Sequence, residues 1–181
     1  MPSPKKILRT SLATLVDSFR AEQCRGYDQR KEAYAAWIKG LSQEDDFRLE
    51  HDRENVMRRL NVNDSMLCNL EDARRAAASY LRGNRALLTE QGQEYLTKIA
   101  KNEQAIADMV FAFRNKINRS SSDNMVKIFG ASTPQLRREQ ISLLEKVLVL
   151  EEENCRLAGL ILESTDESDH VVQLAESSGR H

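Results

Sequence analysis

Side chains suited to catalysis or metal binding are few in this 181-residue chain and lie far apart. Of the three histidines, His170 and His181 lie in the predicted C-terminal tail, and His51 lies in a charged segment, in the run EHDRE at residues 50–54. Ligands on one helix face should be about one turn apart, and a di-iron bundle needs a Glu-x-x-His pair on each of two facing helices. Glu50 and Glu54 have the one-turn spacing, but the run EHDRE lacks the Glu-x-x-His order. The sequence therefore predicts no metal site.

Cysteines and catalytic motifs lead to the same expectation. Cys24, Cys68 and Cys155 are widely separated, odd in number and form no CxxC pair, so neither a zinc knuckle nor a redox dithiol is indicated. The chain also lacks the glycine-rich phosphate loops, the GxSxG nucleophile motif and the HExxH zinc motif. We expect a protein that is not an enzyme and binds no cofactor. Its thiols are expected to stay reduced in the cytoplasm.

Charge and hydropathy exclude further classes of protein. Lys and Arg number 27 against 28 Asp and Glu, a formal net charge of −1, whereas nucleic-acid binders usually carry a basic excess or stripe. No apolar run approaches the roughly 18 residues of a membrane-spanning helix. The N-terminal apolar run is broken by Arg9, Thr10 and Ser11, unlike the core of a signal peptide. We therefore expect no nucleic-acid partner and no membrane span.

Scarce helix breakers indicate the fold class. The chain has 7 glycines and 3 prolines, and the prolines, Pro2, Pro4 and Pro134, leave residues 5–133 free of them. Hydrophobic residues make up 40% of the chain, which is enough for a core. The predicted fold is all-α, an antiparallel helical bundle with long helices and coiled-coil character.

The helical N-terminal region is expected to span residues 1–118, with possible kinks near 26, 40–42, 61–64 and 83. Ser3 and Pro4 predict a helix start, by capping and by the preference of proline for a first turn. The segment 42–54 is charged nearly all round and is interpreted as a peripheral helix, and Asn-Val-Asn-Asp at 61–64 as a turn. One unbroken helix over 65–117 would be roughly 80 Å long and would protrude as a coiled-coil arm. The alternative, which we favour, is a break or kink near Gly83-Asn84.

The C-terminal third is divided into three segments. Residues 119–133 are predicted to be a linker whose serines at 120–122 could accept phosphate, although a solvated loop is the simpler interpretation. Ser132 or Thr133 with Pro134 should then start a helix over 134–164. Residues 165–181 are predicted to be a polar, flexible tail.

The helix over 134–164 carries a heptad repeat. With Leu136, Leu143, Leu150 and Leu157 at position d, the a positions are Gln140, Val147, Asn154 and Ile161. Leucine at d, β-branched residues at a and one asparagine at a are preferred in parallel two-stranded coiled coils, where the asparagine pairs with its twin and fixes the register.

Further apolar residues argue against a free-standing zipper. Leu144, Leu148, Val149, Leu160 and Leu162 spread over most of the remaining circumference. Burying a leucine is worth about 1.5–3 kcal/mol, so this helix should be central in a bundle, whether or not a second chain shares the seam. A transcription-factor zipper is excluded, because the upstream residues NMVKIFGASTPQ form no basic helix.

The leading hypothesis is a non-enzymatic helical interaction or adaptor module that acts through coiled-coil or helix-in-groove pairing. The partner would be another protein or a second copy, with a homodimer expected. The polar notch at 151–154 would influence partner choice. The predicted partner-binding residues are Leu136, Leu143, Val147, Leu150, Asn154, Leu157 and Ile161.

Two alternatives belong to other classes. The first is a client-binding helical chaperone or export adaptor. Flagellar and type III export chaperones also use long helical hairpins and an apolar C-terminal helix, but the similarity is confined to residues 153–157, ENCRL, and identifies no family. The second is a peripheral membrane-surface module, because the segment 4–20 is amphipathic with Lys5, Lys6 and Arg9 near its start. Packing of that segment into a bundle is the simpler expectation.

Overall fold

The computed structural model describes residues 1–21, 23–24, 27–28, 30–48, 52–118 and 133–178. Within these ranges the chain forms five α-helices, which account for nearly all of its regular structure. They are α1 (Pro4–Arg20), α2 (Arg30–Ser42), α3 (Arg53–Asn84), α4 (Glu90–Asn118) and α5 (Pro134–Ser178). The two-residue strands β1 (Gln23–Cys24) and β2 (Tyr27–Asp28) pair antiparallel, and short 3₁₀ turns cover Glu44–Phe47 and Arg85–Leu87. The predicted all-α helical bundle is confirmed.

Helix α5 is the centre of the bundle. It contacts α1, α2 and α4, while α3 and α4 pack against each other as a hairpin. Two apolar clusters follow one another along it. The first core cluster joins α1, the last turn of α3, α4 and the second half of α5, through residues such as Leu8, Ile99 and Ile161. The second joins α2, α3, α4 and the first half of α5, through residues such as Leu67 and Leu144.

Short side chains start three of the helices. Ser3 Oγ accepts a hydrogen bond from the Lys6 amide at 3.3 Å, and Thr133 Oγ1 accepts one from the Leu136 amide at 3.3 Å. A proline follows each cap, as the sequence predicts. Asp52 caps α3 by accepting from the Asn55 amide at 2.9 Å.

The N-terminal helices are shorter than the apolar pattern suggests. α1 ends at Arg20 and α2 begins at Arg30, so the pattern does not continue as one helix; Gly26 lies outside the described residues. The apolar residues of α1 belong to the first core cluster and those of α2 to the second. A break between them lets each helix reach its own cluster.

Two predictions about the middle of the chain are wrong. Segment 42–54 is not one helix, because it holds the 3₁₀ turn Glu44–Phe47 and the capped start of α3. No turn is present at 61–64, because α3 runs through it. The asparagine at 63 makes tertiary hydrogen bonds, described below, instead of closing a turn.

The long pattern over 65–117 is divided between α3 and α4, where Gly83-Asn84 interrupts it. Helix α5 continues to Ser178, into the range predicted to be a tail. Most of the predicted linker, residues 119–132, and the last three residues lie outside the described ranges. None of the helices described is both long and apolar enough to cross a membrane.

Candidate functional site

The seven residues predicted to bind a partner lie on α5 and pack against other helices of the same chain. Five of them are at most 8% exposed and two are partly buried at the edge of the second core cluster. The buried five are Leu143, Val147, Asn154, Leu157 and Ile161, and the other two are Leu136 and Leu150. Their use by a separate partner stays a prediction.

The heptad positions that are most buried along α5 differ from those of a two-stranded zipper. All four a positions are buried, and so are all four e positions, which include Leu144 and Glu151. At d, Leu136 and Leu150 are only partly buried. Val149, at position c, is 64% exposed and marks the outer face. α5 therefore buries a face centred between a and e, which is wide enough to contact several helices.

Asn154 has polar partners within its own chain. Its Nδ2 donates to Glu103 Oε1 at 3.1 Å, and its Oδ1 accepts from Asn102 Nδ2 at 2.8 Å. Both partners are on α4. The amide group that would pair with its twin in a parallel dimer is thus engaged in the contact between α4 and α5.

The polar notch at 151–154 is part of a buried ionic cluster. Arg74 on α3 pairs with Glu151, and its Nε lies 3.5 Å from Glu103 Oε2. The Tyr34 hydroxyl on α2 donates to Glu151 Oε1 at 3.3 Å. Together with Asn154, these side chains connect α2, α3, α4 and α5. We call them the buried polar cluster: Tyr34, Arg74, Glu103, Glu151 and Asn154.

The cluster shifts the pKa values of two of its members. Burial raises the pKa of Tyr34 to about 12, and the negative charge of Glu151 adds to the effect. Burial by itself lowers the pKa of Arg74, but the charges of Glu151 and Glu103 outweigh it and the net shift is upward. Arg74 therefore remains a cation between two carboxylates.

The geometry of this cluster favours a structural role over a chemical one. Glu103 and Glu151 are 1% and 0% exposed, so a substrate has no access to their carboxylates in this conformation. Among the described residues, no group of three or more His, Cys, Asp or Glu side chains is arranged to hold a metal ion. The cluster serves to fix how four helices pack.

A groove between α2 and the first half of α3 opens on the described surface. It has a volume of about 590 Å³ and is open to solvent. Its walls are mainly apolar. We call it the α2–α3 groove, and it is lined by Ala33, Ala36, Trp37, Gly40, Leu41, Phe47, Asn55, Arg58, Arg59, Val62, Asn63 and Met66.

The floor of the groove is held by hydrogen bonds between three helices. Trp37 Nε1 donates to Asn63 Oδ1 at 2.8 Å. Asn63 and Gln140 exchange two amide hydrogen bonds, at 2.7 and 3.0 Å. Since the polar groups of Trp37 and Asn63 are already engaged, the floor presents mainly apolar surface to a ligand.

The outer wall carries apolar residues that the bundle does not cover. Val62 and Met66, one helical turn apart on α3, are 53% and 40% exposed. Phe47, which also lines the groove, contacts Arg137, whose guanidinium carbon lies 4.5 Å from the ring centroid. Arg137 is itself buried, at 5% exposed.

Sequence reasoning missed this groove because it assigned 61–64 to a turn. A signal was nevertheless present: Arg58, Val62 and Met66 have the i, i+4, i+8 spacing of one helix face. Continuing the helix through Asn63 would have placed Val62 and Met66 on one ridge. The position of this ridge opposite Trp37 could not be predicted from the sequence.

The chain matches no protein-family model, no curated protein and no solved structure. Fold and site geometry therefore carry the functional argument.

Proposed function

We propose that this chain is a non-enzymatic interaction or adaptor module that receives one helix of a partner protein in the α2–α3 groove. The observation that carries the proposal is the exposure of Val62 and Met66 beside an open groove whose other walls are apolar. Exposed apolar surface that is contiguous and rimmed by polar residues is typical of interaction sites.

The shape of the groove favours a helix over a small molecule. Its volume lies within the roughly 300–1,000 Å³ of ligand pockets, but those pockets enclose most of their ligand. A groove open to solvent accepts one face of a helix, whose anchors recur at i, i+3 or i+4, and i+7. Val62 and Met66 would contact such anchors on one side and Trp37 and Leu41 on the other.

Helix-in-groove pairing also leaves the bundle intact. Coiled-coil pairing through the heptad of α5 would require residues such as Val147 and Leu157 to leave contacts they make within the chain. A partner that binds in the α2–α3 groove would leave these contacts of α5 in place. As part of the proposal we place the protein in the cytoplasm, since neither Cys68 nor Cys155 is in a disulfide.

Fluorescence of Trp37 provides a direct test, because it is the sole tryptophan of the chain and lines the groove. The protein is titrated with tryptophan-free helical peptides that carry leucines along one face and balanced charges elsewhere. We expect a saturable change in Trp37 emission. The absence of saturable binding would refute the proposed function.

Two glycine substitutions locate the binding site. Gly40 lines the groove, whereas Gly83 lies at the far end of α3, and a Cβ at either position meets nothing within 4 Å. Gly40→Leu fills the groove and should abolish the response, while Gly83→Leu should leave it unchanged. Circular dichroism and thermal unfolding verify that both variants fold. Equal binding by the wild type and a folded Gly40→Leu would place the peptide elsewhere and contradict the proposal.

A further inference from the structure

We infer that the helix received by the α2–α3 groove is acidic beside its apolar face, with a carboxylate that pairs with Arg58. This inference rests on the proposed function and names the chemistry of the partner. It comes from the charges that line the groove and from their place relative to the exposed apolar residues.

The charged groups lining the groove are of one sign. Its twelve lining residues include Arg58 and Arg59 but neither aspartate nor glutamate. Arg59 Nη1 is already paired with Asp46 Oδ2 at 2.8 Å. Arg58 Nη2 donates to the neutral amide of Asn55 at 2.8 Å, and no carboxylate among the described residues forms an ion pair with it. Arg58 is thus the cation available to a partner.

The spacing along α3 fixes where the acidic group should be. Arg58, Val62 and Met66 follow one another at intervals of one turn, so the cation stands at the N-terminal end of an apolar ridge. Residues one turn apart on a helix face are about 5–6 Å apart. A partner helix that places its apolar anchors against Val62 and Met66 would therefore need a carboxylate about one turn beyond its last anchor.

The expected effect of the Arg58 charge on the affinity for a partner helix is moderate. Exposed ion pairs contribute little, and charges at the rim of an interface act mainly on the rate of association and on the choice of partner. We expect an acidic peptide to bind about threefold to tenfold more tightly than a basic one with the same apolar face. The difference should shrink as salt screens the charges.

The test uses two tryptophan-free peptides that share their leucine face and differ only in having glutamates or lysines beside it. Binding is measured through Trp37 emission at low and at near-physiological salt. The wild type should prefer the glutamate peptide, and Arg58→Glu should reverse the preference. Arg85→Glu is the matched control, because Arg85 is an exposed arginine in the 3₁₀ turn after α3 and does not line the groove. It should retain the wild-type preference.

The outcomes separate this inference from the proposed function. Equal binding of both peptides, blocked in each case by Gly40→Leu, overturns the acidic partner and leaves helix binding in place. Absence of saturable binding by either peptide overturns both. Light scattering of the protein alone supplies the last outcome: a mass that increases with concentration, and does not increase in Gly40→Leu, would show that a second copy occupies the groove and would also overturn the inference.

Discussion

At the scale of single residues, Tyr34 is in contact with both apolar and ionic groups. Its ring belongs to the second core cluster while its hydroxyl donates to the buried carboxylate of Glu151. Ionisation would place a second negative charge beside that carboxylate, away from water. The pKa of Tyr34 is accordingly raised from 10.0 to about 12, mainly by burial. At a pH between 10.0 and about 12, the folded state therefore keeps the phenolic proton that the unfolded chain loses.

This difference predicts that stability falls in alkali. The contribution of Tyr34 is fully present below pH 10 and is lost as the pH rises from about 10 to about 12, because over that window the folded state binds more protons than the unfolded state. Urea unfolding between pH 8 and 11.5 should show a loss in the free energy of unfolding. This loss should be smaller in Tyr34→Phe than in the wild type, by on the order of 2 kcal/mol at the alkaline end.

A second tyrosine serves as the control for this experiment. Tyr80 is 39% exposed on α3, so Tyr80→Phe should keep the alkaline loss of the wild type. The same alkaline loss in Tyr34→Phe as in the wild type would show that the Tyr34 hydroxyl is not held as described.

Two asparagines show how far sequence reasoning extends at this scale. Asn154 interrupts an apolar seam, and this pattern predicts a buried polar group that helps to specify packing. Its partners could not be predicted, since Glu103 and Asn102 are about fifty residues away in sequence and on another helix. Asn63 was interpreted as a turn residue because it belongs to the run Asn-Val-Asn-Asp, whose residue types favour turns. Its hydrogen bonds to Trp37 and Gln140 exist only after three helices have packed.

At the scale of helices, the junction of α3 and α4 contains two glycines in different surroundings. Gly83 is in the last turn of α3, and a Cβ there would meet nothing within 4 Å. Gly92 is in the first turn of α4, where its amide donates to Thr89 Oγ1 at 3.3 Å. A Cβ at Gly92 would lie 3.0 Å from the Cβ of Leu88, closer than side chains normally approach. Only one of the two glycines is needed for packing.

Alanine substitutions should separate these two cases. Gly83→Ala should raise the free energy of unfolding by about 0.5–1 kcal/mol, because alanine loses less backbone entropy in a helix. Gly92→Ala should show none of this gain, because Leu88 would have to move. Chemical denaturation of the two variants beside the wild type measures the difference. Equal stabilisation by both substitutions would contradict the close approach of Leu88.

Helix starts were predicted well where a cap and a proline act together, as at Ser3-Pro4 and Thr133-Pro134. These are local signals that do not depend on the rest of the chain. The segments 42–54 and 61–64 were predicted wrongly because local composition there competes with tertiary contacts. Phe47, for example, lines the groove and contacts Arg137 of α5 from a 3₁₀ turn, not from an α-helix.

At the scale of the whole molecule, the buried polar cluster joins α2, α3, α4 and α5 through one cation. Arg74 pairs with Glu151 and approaches Glu103, and its side chain is 14% exposed. Carboxylates buried at this depth are tolerated because the cation and several hydrogen bonds compensate for lost hydration. Removing Arg74 would leave two acidic groups in a nearly dry site.

Arg74→Met should therefore destabilise the bundle by about 3–5 kcal/mol near neutral pH. Part of the loss should be recovered as the pH falls, because carboxylates without their cation bind protons more tightly in the folded state than in the unfolded state. Thermal unfolding between pH 4 and 7.5 would measure both effects.

The neighbouring arginine provides the comparison for Arg74→Met. Arg75 is about half exposed and forms an ion pair with Glu71 at 3.1 Å, so Arg75→Met should cost much less and show little dependence on pH. Equal losses for the two variants would argue that Arg74 is no more important than a surface charge.

The bundle and its central apolar helix were predictable from composition and periodicity, because a helix apolar over most of its circumference needs neighbours on most sides. Which helices would be those neighbours could not be predicted. α1 and α2 each have an apolar stripe that could pack on any complementary face, and only the structure assigns both to α5. The groove likewise depends on the relative positions of α2 and α3, which periodicity does not encode.

The central position of α5 also bears on how the chain folds as a ribosome makes it. α1 packs chiefly on α5. Its residues Leu8 and Leu12 share a cluster with Ile161, so this apolar face has no final partner until nearly the whole described chain has been translated. The hairpin of α3 and α4 can form earlier from contacts close in sequence. During synthesis the first helices would expose leucine-rich surface, the condition under which nascent chains engage general chaperones or aggregate.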